Sequence, residues 1–283
     1  MTMKVTALAG ALAAALFAGP AAAQMQIPPE LSNSQIEVEY AVPSDPALRE
    51  VYERLKARQP LEVLAAFLSP LRLPHKQKIR LDQCGSIFKD YEPKGPVTLC
   101  YEFVLQNEKL ATSDPVTLGP IRIERANALV GAFVQLALHD VAAAVIDDLD
   151  IAVFGRADDA EDKLAAFIMV QFGKEVTNRT ILGTGWYLKA TNTSVDIDPS
   201  DIRSPTVQRF YNYLCIAYGA DRQEYQFLVK AGLLPAGRAR RCRIEYLKMQ
   251  QAFRATILKY VDLDLMEKVR ATDWLQVRKG SAG

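Results

Sequence analysis

The chain has 283 residues, with 34 Lys and Arg against 33 Asp and Glu and only two His. So even a balance provides no global charge to draw the chain to nucleic acid or to an anionic surface, and a polyanion partner is not expected. Beyond an Ala-rich beginning there is no internal repeat or low-complexity stretch.

The first residues, MTMKVTALAGALAAALFAGPAAAQ, combine Lys4, an apolar run over 5–18 and the small-residue site Ala21, Ala22, Ala23. This is the layout of a secretory signal peptide, with cleavage expected after Ala23. The run is too short to span a bilayer, and no later segment offers the ~18 uncharged apolar residues a span needs. Residues 24–283 are therefore expected to form one soluble domain, periplasmic or secreted, without a membrane span. Four cysteines, Cys84, Cys100, Cys215 and Cys242, are an even number in an exported chain and favour two disulfides. Pairing Cys84 with Cys100 and Cys215 with Cys242 is the simplest of the three connectivities.

In chain order, QIEVEYAV at 35–42 alternates like a strand. PALREVYERLKARQ at 46–59 and PLEVLAAFLSPL at 60–71 have helical periods opened by prolines. KQKIRLDQC at 76–84 and PVTLCYEFVL at 96–105 read as strands of an early hairpin, joined by the turn-rich FKDYEPKGP. From residue 123 the pattern turns to long helices at 124–148, 158–173, 204–219 and 237–258, with no linker between them. The expected class is α+β, a small N-terminal sheet followed by a mostly helical part.

The segment 129–146 is apolar almost all the way round, as in a buried helix. It carries His139, Asp140 and, four residues after the histidine and on the same face, Ala143. The zinc-peptidase motif H-E-x-x-H uses this spacing, with two His as ligands and the Glu as general base. Here the pentad is HDVAA: the frame is present, the base is one methylene shorter, and the second ligand is gone.

The chain resembles, over nearly its whole length after the leader, a family of exported bacterial metallopeptidase-like proteins of unknown function. The resemblance lies in LPHKQKIRLDQCGSIF, VTLCYEF, the helix around His139, VFGRADDAEDKLAAF, SPTVQRFYNYLCIAYG and LLPAGRARRCRIEY. It implies a zincin-like fold with a buried active-site helix. It also implies that Asp158, 19 residues after His139, stands where the third ligand would be. Asp162, four residues further on, stands where a carboxylate would orient the metal-bound His. Arg203, before Ser204 and Pro205, occupies the position of an oxyanion-steadying His.

A catalytic zinc site needs three protein ligands and an open position. His139 and Asp158 supply two, and Asp140 cannot serve as ligand and base together. The resemblance with these departures implies a non-catalytic pseudo-peptidase with a binding or structural role, no cofactor, and an unidentified protein or peptide as partner. The alternative is an active or altered metallohydrolase using His139 and carboxylate ligands, with zinc as cofactor. Asp162 is expected to accept a hydrogen bond from the His139 ring, and Arg203 to reach Asp158 or Asp140 in place of the metal. Asp147, Asp148, Asp150, Asp158, Asp159, Glu161 and Asp162 suggest a calcium or manganese site, although they also fit a helix end followed by a dipole-favoured helix start. Arg238, Arg240, Arg241 and Arg243 read as a solvated or ion-paired face, and His75 as exposed in a loop.

Overall fold

The computed structural model describes residues 27–32, 35–192, 200 and 202–274. The expected signal peptide at 1–23 lies outside the described residues. The elements are β1 (Ile36–Tyr40), α1 (Pro46–Arg58), α2 (Pro60–Phe67), β2 (Gln77–Asp82), β3 (Val97–Cys100), α3 (Tyr101–Leu110), β4 (Val116–Leu118) and β5 (Ile121–Ile123). Then follow α4 (Arg125–Asp148), α5 (Ala157–Met169), α6 (Lys174–Ala190), α7 (Thr206–Ala220), α8 (Gln226–Lys230), α9 (Ala236–Thr256) and α10 (Leu263–Ala271). The class is α+β; among the described residues the strands lie in the first part of the chain, and a single antiparallel bridge joins Leu71 to Val261.

Local chemistry explains the early elements. Asp45 caps α1 by accepting from the Ala47 N–H at 2.9 Å, and Pro46 fits the first turn, where no amide donor is needed. Leu48, Val51, Tyr52 and Leu55 recur at helical spacing and are all buried. Gln59, with φ of 53°, ends α1 in a left-handed turn, and Pro60 starts α2 at once.

One expectation is corrected in the sheet. Its order is β1-β2-β3 and both pairings are parallel, with Ile36 opposite Gln77 and Ile79 opposite Val97. The segments at 76–84 and 96–105 therefore do not form a hairpin. The residues between β2 and β3 carry the chain back to the starting edge, which parallel pairing requires. Val97, Thr98, Leu99 and Cys100 are all buried, a continuous run suited to a strand covered on both faces. The strand also ends at Cys100, and YEFVL begins α3. The Cys84–Cys100 disulfide, with Cα atoms 5.5 Å apart, thus joins the same ends of two parallel neighbours. The antiparallel hairpin is the short pair β4 and β5.

Helix α4 is the centre of the helical part and packs on α5, α6 and β3. Among the described residues it is the one helix long and apolar enough to cross a membrane, but here it is a core helix, mostly covered. Gly131 on α4 and Gly183 on α6 let the two backbones touch: a Cβ on Gly131 would lie 2.5 Å from the Gly183 Cα. Thr184 on α6 donates its hydroxyl to the Gly131 carbonyl at 3.2 Å across this crossing. The Cys215–Cys242 disulfide, with Cα atoms 4.9 Å apart, clamps α7 to α9. These two bridges place the chain in an oxidising compartment.

Candidate functional site

Three helices bring the site together. His139 comes from the middle of α4; Asp158, Glu161 and Asp162 from the first turns of α5; Arg209 from the first turns of α7. Positions 158, 161 and 162 share one face of α5 because they are three and four apart. That face meets the histidine.

Asp162 is fully buried and its Oδ1 lies 3.1 Å from the His139 Nδ1. Arg209 grips the same carboxylate with two parallel bonds, Nε to Oδ2 and Nη2 to Oδ1, both at 2.9 Å. Its Nη2 also lies 3.2 Å from His139 Nδ1. An ionised carboxylate can only accept, so the Asp162 contact is a hydrogen bond when Nδ1 carries its proton, and the arginine then spends its donors on the same carboxylate. This leaves Nε2 facing Glu161, whose Oε2 is 3.3 Å away, at a place where both side chains keep some exposure.

Asp158 accepts the Ser204 N–H at 2.8 Å, which pins the start of α7 to α5. Next to it Asp159 accepts from Gln208 at 2.6 Å and Asn212 at 2.8 Å, so its carboxylate is committed to that same contact. His139, Asp158 and Glu161 each offer one ligand atom, and these atoms lie within 4.8 Å of one another. Two ligands about 2.0–2.2 Å from a tetrahedral ion stand ~3.3 Å apart, so the Nε2 to Oε2 spacing fits a shared cation.

The charges are under tension. Burial pushes Glu161 upward; His139 opposes this, while Asp158 and Asp162 add to it. Burial would also raise Asp162, but the Arg209 charge and the bonds from His139 and Arg209 hold it below the usual carboxylate range. For His139, burial works against the imidazolium, yet its bond to Asp162 and the neighbouring carboxylates raise it above the ordinary value.

Asp140 is buried, and burial raises its pKa to about 7; His139 and Arg209 oppose the rise, and Glu161 and Asp90 support it. A carboxyl held there binds its proton more tightly folded than unfolded, so this contribution to stability declines as pH rises from ~4 through about 7. Asp140→Asn, melted with a chelator present, is therefore expected to gain on the wild type at pH 8 relative to pH 5. An equal effect of the substitution at both pH values would remove Asp140 as a buried, strained acid.

Ala143, one turn after His139, offers no donor. Arg203 is exposed and stands beside Ser204, whose N–H bonds Asp158; a further guanidinium, that of Arg209, grips Asp162. The acidic run is divided in space. Asp147 accepts from the Tyr91 hydroxyl at 3.2 Å and the Lys94 N–H at 2.9 Å, and Asp148 meets the ring of exposed His75. From this run, Glu161 and Asp162 lie against the His139 ring. Sequence spacing placed Glu161 only within the acidic run and not beside His139, and it did not single out Arg209 as the partner of Asp162. For Glu161 the available signal was its place three residues after Asp158 on one helical face.

No curated protein and no solved structure matches the chain. A family model described as putative metallopeptidase, DUF4344, matches residues 40–257. The matched span takes in His139, the α5 acids, Arg209 and all four cysteines, and covers most of the sequence. The chain belongs to this family of putative metallopeptidases.

Proposed function

We propose that this exported member of the family holds a divalent cation, zinc in the first instance, through His139, Asp158 and Glu161. On this reading it has lost peptidase turnover and acts by binding a peptide or protein segment. The observation that carries the reading is the mutual 4.8 Å reach of those three ligand atoms. Glu161 supplies the third ligand position that a catalytic or binding centre of this kind needs. In such a centre the ion supplies Lewis-acid polarisation of a carbonyl.

The chain's own residues then have separate tasks. Asp162 holds the Nδ1 proton, which leaves Nε2 as the ligand nitrogen and fixes the ring, the usual work of a carboxylate behind a metal-bound His. Arg209 keeps Asp162 ionised and oriented. Ser204 fixes Asp158. Loss of turnover follows from Asp140, whose carboxyl is one methylene short of the Glu that carries the proton in active relatives of the motif. A ~1 Å error in such a group can cost ~100-fold in rate.

A second reading has one observation in its favour. The Asp140 pKa of about 7 is in the range of a working general base, as an altered metallohydrolase would need. Zinc-loaded protein incubated with a mixed unfolded-peptide substrate separates the two. The pseudo-peptidase reading expects no cleavage by the wild type, and a gain when Asp140→Glu and Ala143→His are combined. Cleavage by the wild type that disappears on Asp140→Asn and on chelation would establish the hydrolase instead.

A further inference from the structure

Helix α9 is unlike the rest of the molecule. The chain as a whole balances its charges, yet this helix carries Arg238, Arg240, Arg241, Arg243, Lys248 and Arg254 against the single acid Glu245. Of its 21 residues only Ala239 and Cys242 are fully buried, on the side that meets α7. Glu245 is committed to Arg238, which donates Nη2 to Oε2 at 2.8 Å, so the acid leaves the remaining bases unneutralised. Arg243 donates Nη1 to the Gly219 carbonyl at 2.9 Å, which is a neutral acceptor, and keeps its charge.

The outward face has a definite order. At 100° per residue, Arg240, Ile244, Leu247 and Gln251 form its central line, with Arg241 and Lys248 on one flank and Arg243 and Arg254 on the other. Ile244 is 58% exposed and Leu247 43%, an unusual pair to leave in water side by side. Arg240, Arg241, Lys248 and Arg254 are all exposed, and none has an ion-pair partner among the described residues. A ridge ~21 Å long from Arg240 to Arg254, with two aliphatic side chains between rows of cations, complements a broad anionic plane with an apolar layer beneath its charges.

We propose that the exposed face of α9 docks the protein on the surface of an anionic phospholipid bilayer. The cations meet the headgroup phosphates while Ile244 and Leu247 enter the boundary of the acyl layer. Two aliphatic residues are too few to hold the protein alone, so the attachment is peripheral, reversible and screened by salt.

Vesicle sedimentation tests this with the purified protein. Vesicles containing about one-third phosphatidylglycerol are compared with pure phosphatidylcholine at ~0.05 M and ~0.5 M salt, where screening differs strongly. The expected result is binding to the anionic vesicles at low salt, loss at high salt, and none to the zwitterionic ones. Replacing Arg240, Arg241 and Lys248 together by Gln should lower partitioning ~100-fold, at ~5-fold per basic residue, without lowering the melting temperature. Ile244→Ser with Leu247→Ser should weaken it independently. Absence of binding to anionic vesicles, equal binding to both vesicle types, or unchanged binding by the triple variant would overturn the proposal. So would retention of the protein by polyglutamate in preference to vesicles, which would identify an acidic protein as the partner.

Discussion

Arg209→Met is expected to destabilise the protein by ~3–5 kcal/mol, the usual cost of removing one partner from a buried ion pair. Asp162 has no exposure and takes two 2.9 Å bonds from this one guanidinium. Met fills a similar volume but leaves the carboxylate with only the His139 ring and the Tyr213 hydroxyl, both formally neutral partners when His139 is unprotonated. At ~2–4 °C per kcal/mol for a chain of this size, the melting temperature should fall by ~6–20 °C at pH 7. The sign with pH follows from the direction of the Asp162 shift. Its folded pKa is lowered, so its contribution is present above the unfolded carboxylate value and is lost as pH falls through the folded one. The difference between wild type and Arg209→Met should therefore shrink in acid. Adding Asp162→Asn to the variant should recover part of the loss, because no buried charge is then left unpaired. A melting temperature within ~2 °C of wild type at pH 7 would mean that the pair is not the fold's anchor.

Gly183→Ala should also be destabilising, although Ala is the better helix former by ~1 kcal/mol. The added Cβ would meet the Asn127 carbonyl at 2.4 Å, the Gly131 Cα at 2.8 Å and the Ala128 carbonyl at 3.1 Å. All three are backbone atoms, which no rotamer change can move away. Helix α4 must shift off α6, with an overpacking cost of ~1–3 kcal/mol or more. Because α4 carries His139 while the carboxylates ride on α5, the same shift should weaken cation binding. A raised melting temperature with unchanged binding would show that the crossing gives way freely.

The parts of the fold that announce themselves in the sequence are those set by local chemistry. Pro46 and Pro60 at helix starts, the long apolar run around His139 and the Gly- and Pro-rich turns are readable because one residue's conformational preference decides each. The direction of β3 is not of this kind. A turn-rich loop suits a hairpin or a crossover equally, and only burial of all four β3 residues under α4 distinguishes them. Helix α6 escapes for a related reason. Thr177, Thr180, Gly183, Thr184 and Gly185 all depress helix propensity, yet Gly183 is there to bring α4 close and Gly185 to seat Leu118 and Phe210, so tertiary packing overrides the local preference.

The same division holds at the site. The spacing of His139, Asp140 and Ala143 is visible because one helix carries all three. The 3.1 Å approach of Asp162 to His139 concerns two helices, and a resemblance was needed to suggest it. Glu161 stood in plain view among seven acids, but only the rotation of α5 against α4 separates the acids that face the ring from Asp147 and Asp148, which are used elsewhere. Arg209 was hidden by sequence distance, 70 residues from the histidine whose partner it holds.

On the proposed reading His139, Asp158 and Glu161 form one cation site despite Ala143. Calorimetric titration of zinc into metal-stripped wild-type protein and into Glu161→Ala tests it most directly, with circular dichroism to confirm that both are folded. The account predicts one zinc per chain for the wild type, and for Glu161→Ala a loss of affinity at least as large as the ~10–100-fold that even outer-shell changes produce. Wild-type protein that takes up no zinc, or a Glu161→Ala variant that binds it as tightly as the wild type, would contradict it.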